Sequence, residues 1–365
     1  MKEFEGDFGM NDNSNPVIYC NSRPIGQGHS PFIIAEAGVH HNCSLDKAFA
    51  LVDAAVDAGV DAIKFQTYRA EKLVTTWAPR YWDCGEAPGT QFDTFKERDK
   101  FGFEEYKRIA NYCRDKGIVF LSTPFDEGVV DWLEELKMPL YKVASADLTH
   151  YPLLKRIAIT GKPVLLSVGA SEKSEIEAAI AWLRQHGTTK ISLLHCSLCY
   201  PTENNQAHIR KILGLQRAFS DCVIGYSDHT IPDEAVSVLL GSVALGASVI
   251  ETHFTLDRSL PEDDHYHALD PLFMKRFVDG SKIIHQALGS EAVVVHECEI
   301  PARQNARRSI VAAVPLRAGT VLQLKHVDCK RPGTGTSPIH LSRMLGRTLR
   351  VDIAADGLLL EEQFE

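Results

Sequence analysis

Between residues 31 and 290 the chain alternates strictly between short, β-rich apolar runs and longer amphipathic stretches of helical period. The eight apolar runs lie at 32–36, 61–66, 117–122, 141–144, 163–168, 191–196, 222–227 and 248–254. The eight helical stretches lie at 45–58, 104–116, 129–137, 152–160, 174–186, 208–219, 233–245 and 271–288. This alternation predicts an α/β fold with a parallel sheet. Eight strand–helix units in about 250 residues predict closure into a (β/α)8 TIM barrel.

The segments outside the alternation predict three further parts of the chain. Residues 1–30 form an N-terminal extension with a hairpin around Asn21 and Ser22, placed at the bottom of the barrel. Residues 291–301 form a linker, and 302–365 form a small β-rich domain. Basic residues concentrate in this domain of an otherwise acidic chain. They indicate either a surface that faces an anion or a solvated basic face.

Composition argues against several classes of protein. The net charge of −9 argues against nucleic-acid binding as the main function, although a local pocket can still be positive. No window approaches the roughly 18 consecutive apolar residues of a membrane span, and the N-terminus lacks the pattern of a signal peptide. Nine cysteines, an odd number, predict free thiols in a reducing cytoplasm rather than a disulfide framework.

The longest interruption of the pattern, residues 67–103, follows the second predicted strand. It contains Trp77, Tyr81, Trp82 and Phe92. Long loops in compact domains are usually functional or disordered. The aromatic residues favour an ordered lid or a partner contact, and a packed surface excursion is the alternative.

Polar residues gather at the carboxyl ends of the predicted strands, where a TIM barrel has its active site. Lys64 and Lys142 lie inside otherwise apolar strands, where an ammonium group is unfavourable unless it meets an anion. A candidate phosphate or carboxylate pocket is completed by hydroxyl residues at other strand ends, namely Ser122, Thr123, Ser145, Ser167 and Ser227. Internal salt bridges, such as Lys64 to Glu36, are an alternative, and so is a Schiff-base role for Lys142.

His229 and His253 end the seventh and eighth predicted strands. Neighbouring strands lie about 4.8 Å apart, so both imidazoles can reach one metal ion, with positions left open for substrate. Glu251 and Asp264 are placed to orient such ligands or bound water. The alternative is a pair of hydrogen-bonded core histidines beside a solvated loop at 262–267.

Motifs along most of the chain resemble those of one known family. They are IAEAGVHHN at 34–42, KFQT at 64–67, STPFD at 122–126, YKVAS at 141–145, GYSDHT at 225–230, IETHFTLDRSL at 250–260 and KRPGTG at 330–335. From about residue 23 onwards the chain resembles the sialic acid synthase family, the N-acetylneuraminate synthase-like enzymes. Residues 302–365 are similar to the antifreeze-like domain of that family. The resemblance implies condensation of phosphoenolpyruvate with an open-chain N-acetylmannosamine-type aldose, which gives a sialic-acid-like 2-keto-3-deoxy nonulosonic acid and phosphate.

The resemblance also implies roles for individual residues. Phosphoenolpyruvate would be held by Lys64, Thr123, Lys142, Ser145, Ser167 and Ser227. The amino sugar would be contacted by Gln66, Asp147, Tyr200, Asp264 and Arg331. Glu36 would position water or move a proton, and His229 and His253 would bind catalytic Mn²⁺ or Mg²⁺. Arg331 would come from the neighbouring subunit of a homodimer with domain-swapped C-terminal domains.

Several positions depart from the family pattern. Ala146-Asp147 stands where Gly-Glu is common, and Leu198 stands where Asn is common. Glu262-Asp263-Asp264 replaces a Gly-Pro-Asp turn, and Ala268 replaces a Ser. Because these positions lie near the expected sugar pocket, they leave the acceptor sugar open rather than the reaction type. A Schiff-base aldolase and a non-catalytic sugar-binding protein are the alternative functions.

Overall fold

The computed structural model describes residues 15–82, 89–260 and 264–365. The chain divides into two units, Met1–Gly289 and Ser290–Glu365, and each has its own hydrophobic core. The predicted strand–helix alternation lies in the first unit, and the β-rich segment lies in the second. Residues 1–14 of the predicted extension, and Glu262 and Asp263 of the predicted loop, lie outside the described residues.

Eight parallel strands form the barrel of the first unit. An antiparallel hairpin of β1 (Val17–Cys20) and β2 (Arg23–Gly26) precedes them. The barrel strands are β3 (Phe32–Gly38), β4 (Ala62–Thr67), β5 (Val119–Pro124), β6 (Tyr141–Val143), β7 (Val164–Ser167), β8 (Ile191–Cys196), β9 (Val223–Asp228) and β10 (Val249–His253). Hydrogen-bonded neighbours follow the order β5-β4-β3-β10-β9-β8-β7-β6, and β5 contacts β6 across the remaining gap. The sheet is a near-closed barrel, which confirms the predicted fold class.

Helices connect the strands. They are α1 (Leu45–Ala58), α2 (Ala70–Leu73), α3 (Gln91–Arg98), α4 (Phe103–Lys116), α5 (Glu127–Glu135), α6 (Tyr151–Ala158), α7 (Lys173–Gln185), α8 (Lys211–Ala218), α9 (Ser237–Ala244) and α10 (Pro271–Leu288). Helix α1 begins where the Ser44 side chain accepts a hydrogen bond from the Lys47 N–H, and it ends at Gly59, which has a left-handed conformation. Within the described ranges, no helix is long and apolar enough to cross a membrane.

Local backbone conformation explains where the helices differ from the sequence pattern. Helix α8 begins at Lys211 rather than near residue 208, because His208 has a φ of 45°. Helix α9 begins at Ser237 rather than near 233, because Val236 has a φ of 48°. A left-handed residue cannot continue a right-handed helix. The short helices α2 and α3 lie inside the interruption at 67–103, where the sequence predicts no element.

The β1–β2 hairpin packs at the amino ends of the barrel strands. Ile18 and Ile25 belong to the barrel core. Arg23 forms an ion pair with Asp61, the residue directly before β4, and donates a hydrogen bond of 2.9 Å to the carbonyl of Pro31, directly before β3. The hairpin therefore lies opposite to the carboxyl ends of the strands.

The second unit has a core of short elements and turns. Its elements include α11 (Ile300–Ala306), β11 (Ser309–Ala312), β12 (Val327–Lys330) and α12 (Leu341–Met344). Strands β11 and β12 pair antiparallel, and Ile310, Met344 and Leu359 are buried between the elements. The predicted linker at 291–301 contains a 3₁₀ turn, Glu297–Glu299, and the start of α11.

Ion pairs neutralise part of the basic character of the second unit. Arg317 pairs with Asp352 at 2.6 Å, and Lys330 pairs with Asp356 at 2.5 Å. These two cations belong to a solvated, internally balanced surface. Arg331, which follows β12, is exposed and has no ion-pair partner in the described part of the chain.

Candidate active site

A cavity of about 350 Å³ opens at the carboxyl ends of the barrel strands. The predicted site residues of the first unit that line it are Glu36, Lys64, Gln66, Thr123, Lys142, Ser145, Asp147, Ser167, Tyr200, Ser227, His229, His253 and Asp264. Ser122, which was also predicted for the anion pocket, does not line it, because its buried hydroxyl bonds instead to the Phe65 carbonyl and to Thr67 Oγ1. Arg331 belongs to the second unit. The volume suits a small-molecule substrate.

The two strand-borne lysines meet carboxylates inside this cavity. Lys64 forms an ion pair with Glu36 and donates a hydrogen bond of 2.8 Å to Thr123 Oγ1. Glu251 lies between the lysines, with Oε2 3.8 Å from Lys64 Nζ and Oε1 3.4 Å from Lys142 Nζ. The internal salt bridges that the sequence left as an alternative are therefore present, although both lysines also line the cavity.

Glu36 and Glu251 differ in their tendency to ionise. Burial raises the pKa of Glu36, and Lys64 offsets only part of that shift. Burial also acts to raise the pKa of Glu251, but Lys142 and Lys64 outweigh it and hold the pKa below its ordinary value. Two carboxyl groups with shifts in opposite directions can have different roles. Glu36 is suited to carry a proton, whereas Glu251 is suited to remain an anion.

Hydroxyl groups line the same cavity as the two lysines. Ser145 Oγ accepts a hydrogen bond of 2.9 Å from the Gly169 N–H, and Ser227 Oγ donates one of 3.1 Å to Glu251 Oε1. Ser167 Oγ is buried and has no partner within the ranges that the structure describes. A buried hydroxyl without a partner is unfavourable, so Ser167 is available to an anionic ligand.

His229 and His253 lie side by side at the ends of β9 and β10, with ring centroids 5.3 Å apart. His229 Nδ1 lies 2.7 Å from the Ser197 carbonyl. Since a carbonyl only accepts, Nδ1 carries a proton, and Nε2 is the ring nitrogen that remains for a ligand. His253 Nδ1 lies 3.7 Å from Asp264 Oδ2. Two imidazoles and a carboxylate form a donor set that fits a divalent metal ion.

The two histidines differ in pKa. Burial, followed by neighbouring His267 and His229, lowers the pKa of His253 well below its ordinary value. Burial also acts to lower the pKa of His229, but Cys196, with Sγ 3.7 Å from Nδ1, outweighs it and raises the pKa to about 9. Metal uptake at neutral pH would therefore displace a proton from His229.

The interruption at 67–103 contributes a wall of the cavity. Its lining residues are Leu73, Val74, Tyr81, Trp82, Gln91 and Phe95. Tyr81 and Trp82 contact each other edge to face, with centroids 4.8 Å apart. Residues 83–88 lie outside the described residues. The aromatic content of this segment was the sequence signal for its place at the site.

Asp147 and Leu198, two departures from the family pattern, both line the cavity. Burial raises the pKa of Asp147 to about 6, and its Oδ2 atom has no partner in the described ranges. Leu198 presents an alkyl group to the same space. The cavity wall near the expected sugar pocket therefore combines one acid of raised pKa with apolar surface.

Two features of this site do not follow from the sequence. Glu251 was expected to orient metal ligands, whereas it lies between Lys64 and Lys142. The sequence leaves a solvated loop open as one alternative for 262–267, whereas His267 is 1% exposed and its ring centroid lies 4.8 Å from that of His253. Neither contact is visible in sequence spacing, because the partners come from different strands or from a turn after the barrel.

The fold and the site together define a TIM-barrel enzyme whose cavity contains two buried lysines beside a cluster of imidazoles. A sequence model of the NeuB family matches residues 51–293, and a model of the SAF domain, the antifreeze-like domain, matches 307–365. The chain belongs to the NeuB family and is a synthase of the N-acylneuraminate type. The predicted family is thereby confirmed.

Relatives match over nearly the whole chain. An uncharacterised protein of Methanocaldococcus jannaschii is 38% identical over 94% of this chain and 97% of its own length. N,N'-diacetyllegionaminic acid synthase of Legionella pneumophila is 34% identical over 94% of this chain and 97% of its own. The crystal structure of N-acetylneuraminic acid synthetase from Leptospira borgpetersenii has a TM-score of 0.69 and 32% identity, and covers 78% of this chain and 94% of its own.

Proposed function

We propose that this enzyme condenses phosphoenolpyruvate with the open-chain form of an N-acyl amino aldose. Carbon C3 of phosphoenolpyruvate forms a bond to the aldehyde carbon C1, and water adds at C2. The bond between C2 and the phosphate oxygen then breaks, which gives a 2-keto-3-deoxy sugar acid and inorganic phosphate. The observation that carries the proposal is that one cavity contains both Lys64 and Lys142 and the His229–His253 pair.

The lysine cluster supplies the site for phosphoenolpyruvate. Lys64 and Lys142 would hold its phosphate and carboxylate, together with the hydroxyls of Thr123, Ser145, Ser167 and Ser227. The contact between Lys142 and Glu251 supports this role, because the Lys142 side chain is held in the cavity wall as one member of an ion pair. A lysine that is engaged by a carboxylate is less accessible as a nucleophile, so the pairing disfavours the Schiff-base alternative.

Glu36 would position the attacking water or move its proton. Its Oε1 accepts a hydrogen bond of 2.9 Å from Gln66 Nε2, and its other oxygen faces Lys64. Burial raises its pKa, which brings the carboxyl closer to the range in which an acid or base works at neutral pH.

His229 and His253 would hold a divalent ion, Mn²⁺ or Mg²⁺. When bound, the ion would polarise the aldehyde oxygen as a Lewis acid. The hydrogen bond from His229 Nδ1 to Ser197 supports this assignment, since it fixes the tautomer that presents Nε2 as a ligand.

The acceptor sugar would contact Gln66, Asp147, Tyr200 and Asp264. The alkyl surface of Leu198 favours an acceptor that carries an N-acyl group or lacks a hydroxyl over one with an added hydroxyl. The relative from Legionella pneumophila is named a synthase of N,N'-diacetyllegionaminic acid, an acid that by its name carries two N-acetyl groups. A di-N-acylated deoxy aldose is therefore included among the candidate acceptors.

We further propose a homodimer in which the second unit of one chain faces the barrel of its partner. Arg331 is exposed on the second unit and is available to reach an amino sugar there. The described cysteines are free thiols, which supports a cytoplasmic location.

The test measures phosphate release from phosphoenolpyruvate with a panel of N-acyl hexosamines, including di-N-acylated deoxy forms. Release should require both an aldose and Mn²⁺ or Mg²⁺, and mass spectrometry should detect the product acid. His229→Ala should abolish turnover while circular dichroism shows an intact fold. Phosphate release without an aldose, or none across the panel, would contradict the proposal. Borohydride trapping of a keto acid on Lys142 would indicate the Schiff-base aldolase instead.

A further inference from the structure

A third histidine, His267, lies beside the two proposed metal ligands. It ends the 3₁₀ turn His265–His267, which follows β10. Its ring centroid lies 4.8 Å from that of His253 and 6.1 Å from that of His229. One potential ligand atom from each of His253, Asp264 and His267 lies within 4.8 Å of the other two. The turn thus brings another imidazole to the edge of the proposed metal site.

The His267 side chain is buried without a partner. It is 1% exposed, and neither Nδ1 nor Nε2 has a hydrogen bond within the described ranges. His265, two residues earlier, provides the contrast. Its Nδ1 lies 2.7 Å from Thr255 Oγ1, and its ring stacks on that of His40 at 4.2 Å. Because buried polar groups are normally paired, His265 is satisfied by the fold, whereas His267 lacks the partner that a ligand would supply.

Backbone hydrogen bonds fix this turn against β10. The Leu269 N–H donates to the His253 carbonyl at 2.8 Å, and the Thr255 N–H donates to the Leu269 carbonyl at 2.9 Å. His267 therefore lies on a segment anchored to the strand that carries His253. Metal–nitrogen bonds of about 2.1 Å hold ligand atoms roughly 3–3.4 Å apart. The ligand atoms of His253, Asp264 and His267, which lie within 4.8 Å of one another, would therefore need to close by up to roughly 2 Å. Because the backbone of the turn is fixed against β10, this adjustment would involve only the side chains at the site.

We propose that His267 is a metal ligand, so that three imidazoles, those of His229, His253 and His267, hold the ion beside the Asp264 carboxylate. This inference rests on the proposed function, which places a divalent ion at the first two histidines. Imidazole suits transition-metal ions such as Fe²⁺, Co²⁺ or Zn²⁺, whereas Mg²⁺ prefers oxygen ligands. Of the two ions named in the proposed function, a third imidazole therefore favours Mn²⁺ over Mg²⁺.

The experiment titrates chelator-treated wild type and His267→Ala with Co²⁺ and, separately, with Mg²⁺ by calorimetry. Thermal unfolding of the metal-free proteins reports on folding. The Co²⁺ dissociation constant should rise at least about 10-fold in the variant, and the Mg²⁺ constant should change by less than about 3-fold. His265→Ala is the matched control from the same turn and should leave the Co²⁺ constant near the wild-type value. Equal Co²⁺ affinity in wild type and His267→Ala overturns the proposal.

His267→Cys gives a readout that a merely structural role would not move. A thiolate bound to Co²⁺ adds a ligand-to-metal charge-transfer band beyond the wild-type spectrum, and His265→Cys should not show it. A Co²⁺-loaded His267→Cys protein without that band overturns the proposal.

His229→Ala distinguishes failure of this inference from failure of the proposed function. Co²⁺ binding that is lost in His229→Ala but retained in His267→Ala overturns the role of His267 alone. Co²⁺ binding that is unchanged in His229→Ala contradicts the proposed metal site and this inference with it.

Discussion

Lys142 Nζ lies 3.4 Å from Glu251 Oε1, and the two side chains are only 4% and 7% exposed. The same carboxylate approaches Lys64 Nζ at 3.8 Å, so Glu251 helps to balance two buried ammonium groups. In a low-dielectric wall, removal of Glu251 would leave Lys142 without this counter-charge, whereas Lys64 would keep its ion pair with Glu36. The stability of the barrel and the charge of the cavity wall therefore depend in part on this carboxylate.

Glu251→Gln should lower the free energy of unfolding by about 3–5 kcal/mol, because it leaves the lysines without this counter-charge. In the double variant with Glu251→Gln and Lys142→Met, part of the lost stability should be recovered, because the second substitution removes an ammonium group that the first one leaves without its counter-charge. Urea unfolding of both single variants and the double variant measures the coupling. Asp279→Asn, which removes the exposed partner of Lys275, is the control and should change stability little. Strictly additive effects of the two buried substitutions would contradict the pairing.

Asp147→Asn should stabilise the metal-free enzyme at neutral pH but not in acid. Burial raises the pKa of Asp147 from 3.8 to about 6, so its ionisation opposes folding. The free-energy cost of ionising buried Asp147 is absent below the pKa that this side chain has in the unfolded chain. The cost grows as the pH rises towards 6 and is constant above that value. The variant should therefore gain about 1–3 kcal/mol over wild type between about pH 4 and pH 7.5.

Thermal and urea unfolding across this pH range measure the Asp147 effect. Exposed Asp115→Asn is the control and should show no such dependence. A stability difference between Asp147→Asn and wild type that does not vary with pH would refute the raised pKa.

Leu198→Asn should change acceptor choice more than the use of phosphoenolpyruvate. The Asn amide would form a hydrogen bond with a sugar hydroxyl, which the Leu198 alkyl group leaves unpaired. The kcat/KM values of hydroxylated acceptors should therefore rise relative to those of deoxy, N-acylated ones. The ratio of kcat/KM values for the two acceptor types should shift by about 10-fold or more. Leu272→Asn on the exposed surface of α10 is the control. An unchanged ratio would remove Leu198 from the sugar pocket.

Subunit mixing tests the proposed placement of Arg331. The Arg331→Ala chain keeps an intact barrel site but lacks the arginine. The His229→Ala chain keeps the arginine, whereas its own barrel site is inactive. If the arginine acts across the dimer, mixed dimers should restore about a quarter of wild-type activity after random exchange. Size-exclusion chromatography checks that the mixed species are dimers. Activity no greater than the sum of the separate variants would place Arg331 in its own chain's site or outside it.

Much of the fold could be predicted from local sequence. The period of apolar residues specifies which segments are strands and which are helices, and strict alternation leaves parallel pairing as the solution. The bounds of α1 follow from Ser44 and Gly59, which act through neighbouring residues. The later starts of α8 and α9 could not be predicted, because they depend on left-handed conformations of His208 and Val236. Glycine is the residue that usually signals such a conformation, and neither of these residues is a glycine.

The chain by itself specified which chemical groups stand at the strand ends, since a lysine or histidine in an apolar run is visible without coordinates. Which group meets which was decided only by closure of the barrel. Lys64, Lys142 and Glu251 come from three different strands, and their distances depend on curvature and strand stagger. His267 reaches His253 because a turn folds back along β10. Contacts between segments distant in sequence depend on the shape of the whole sheet, which no local pattern records.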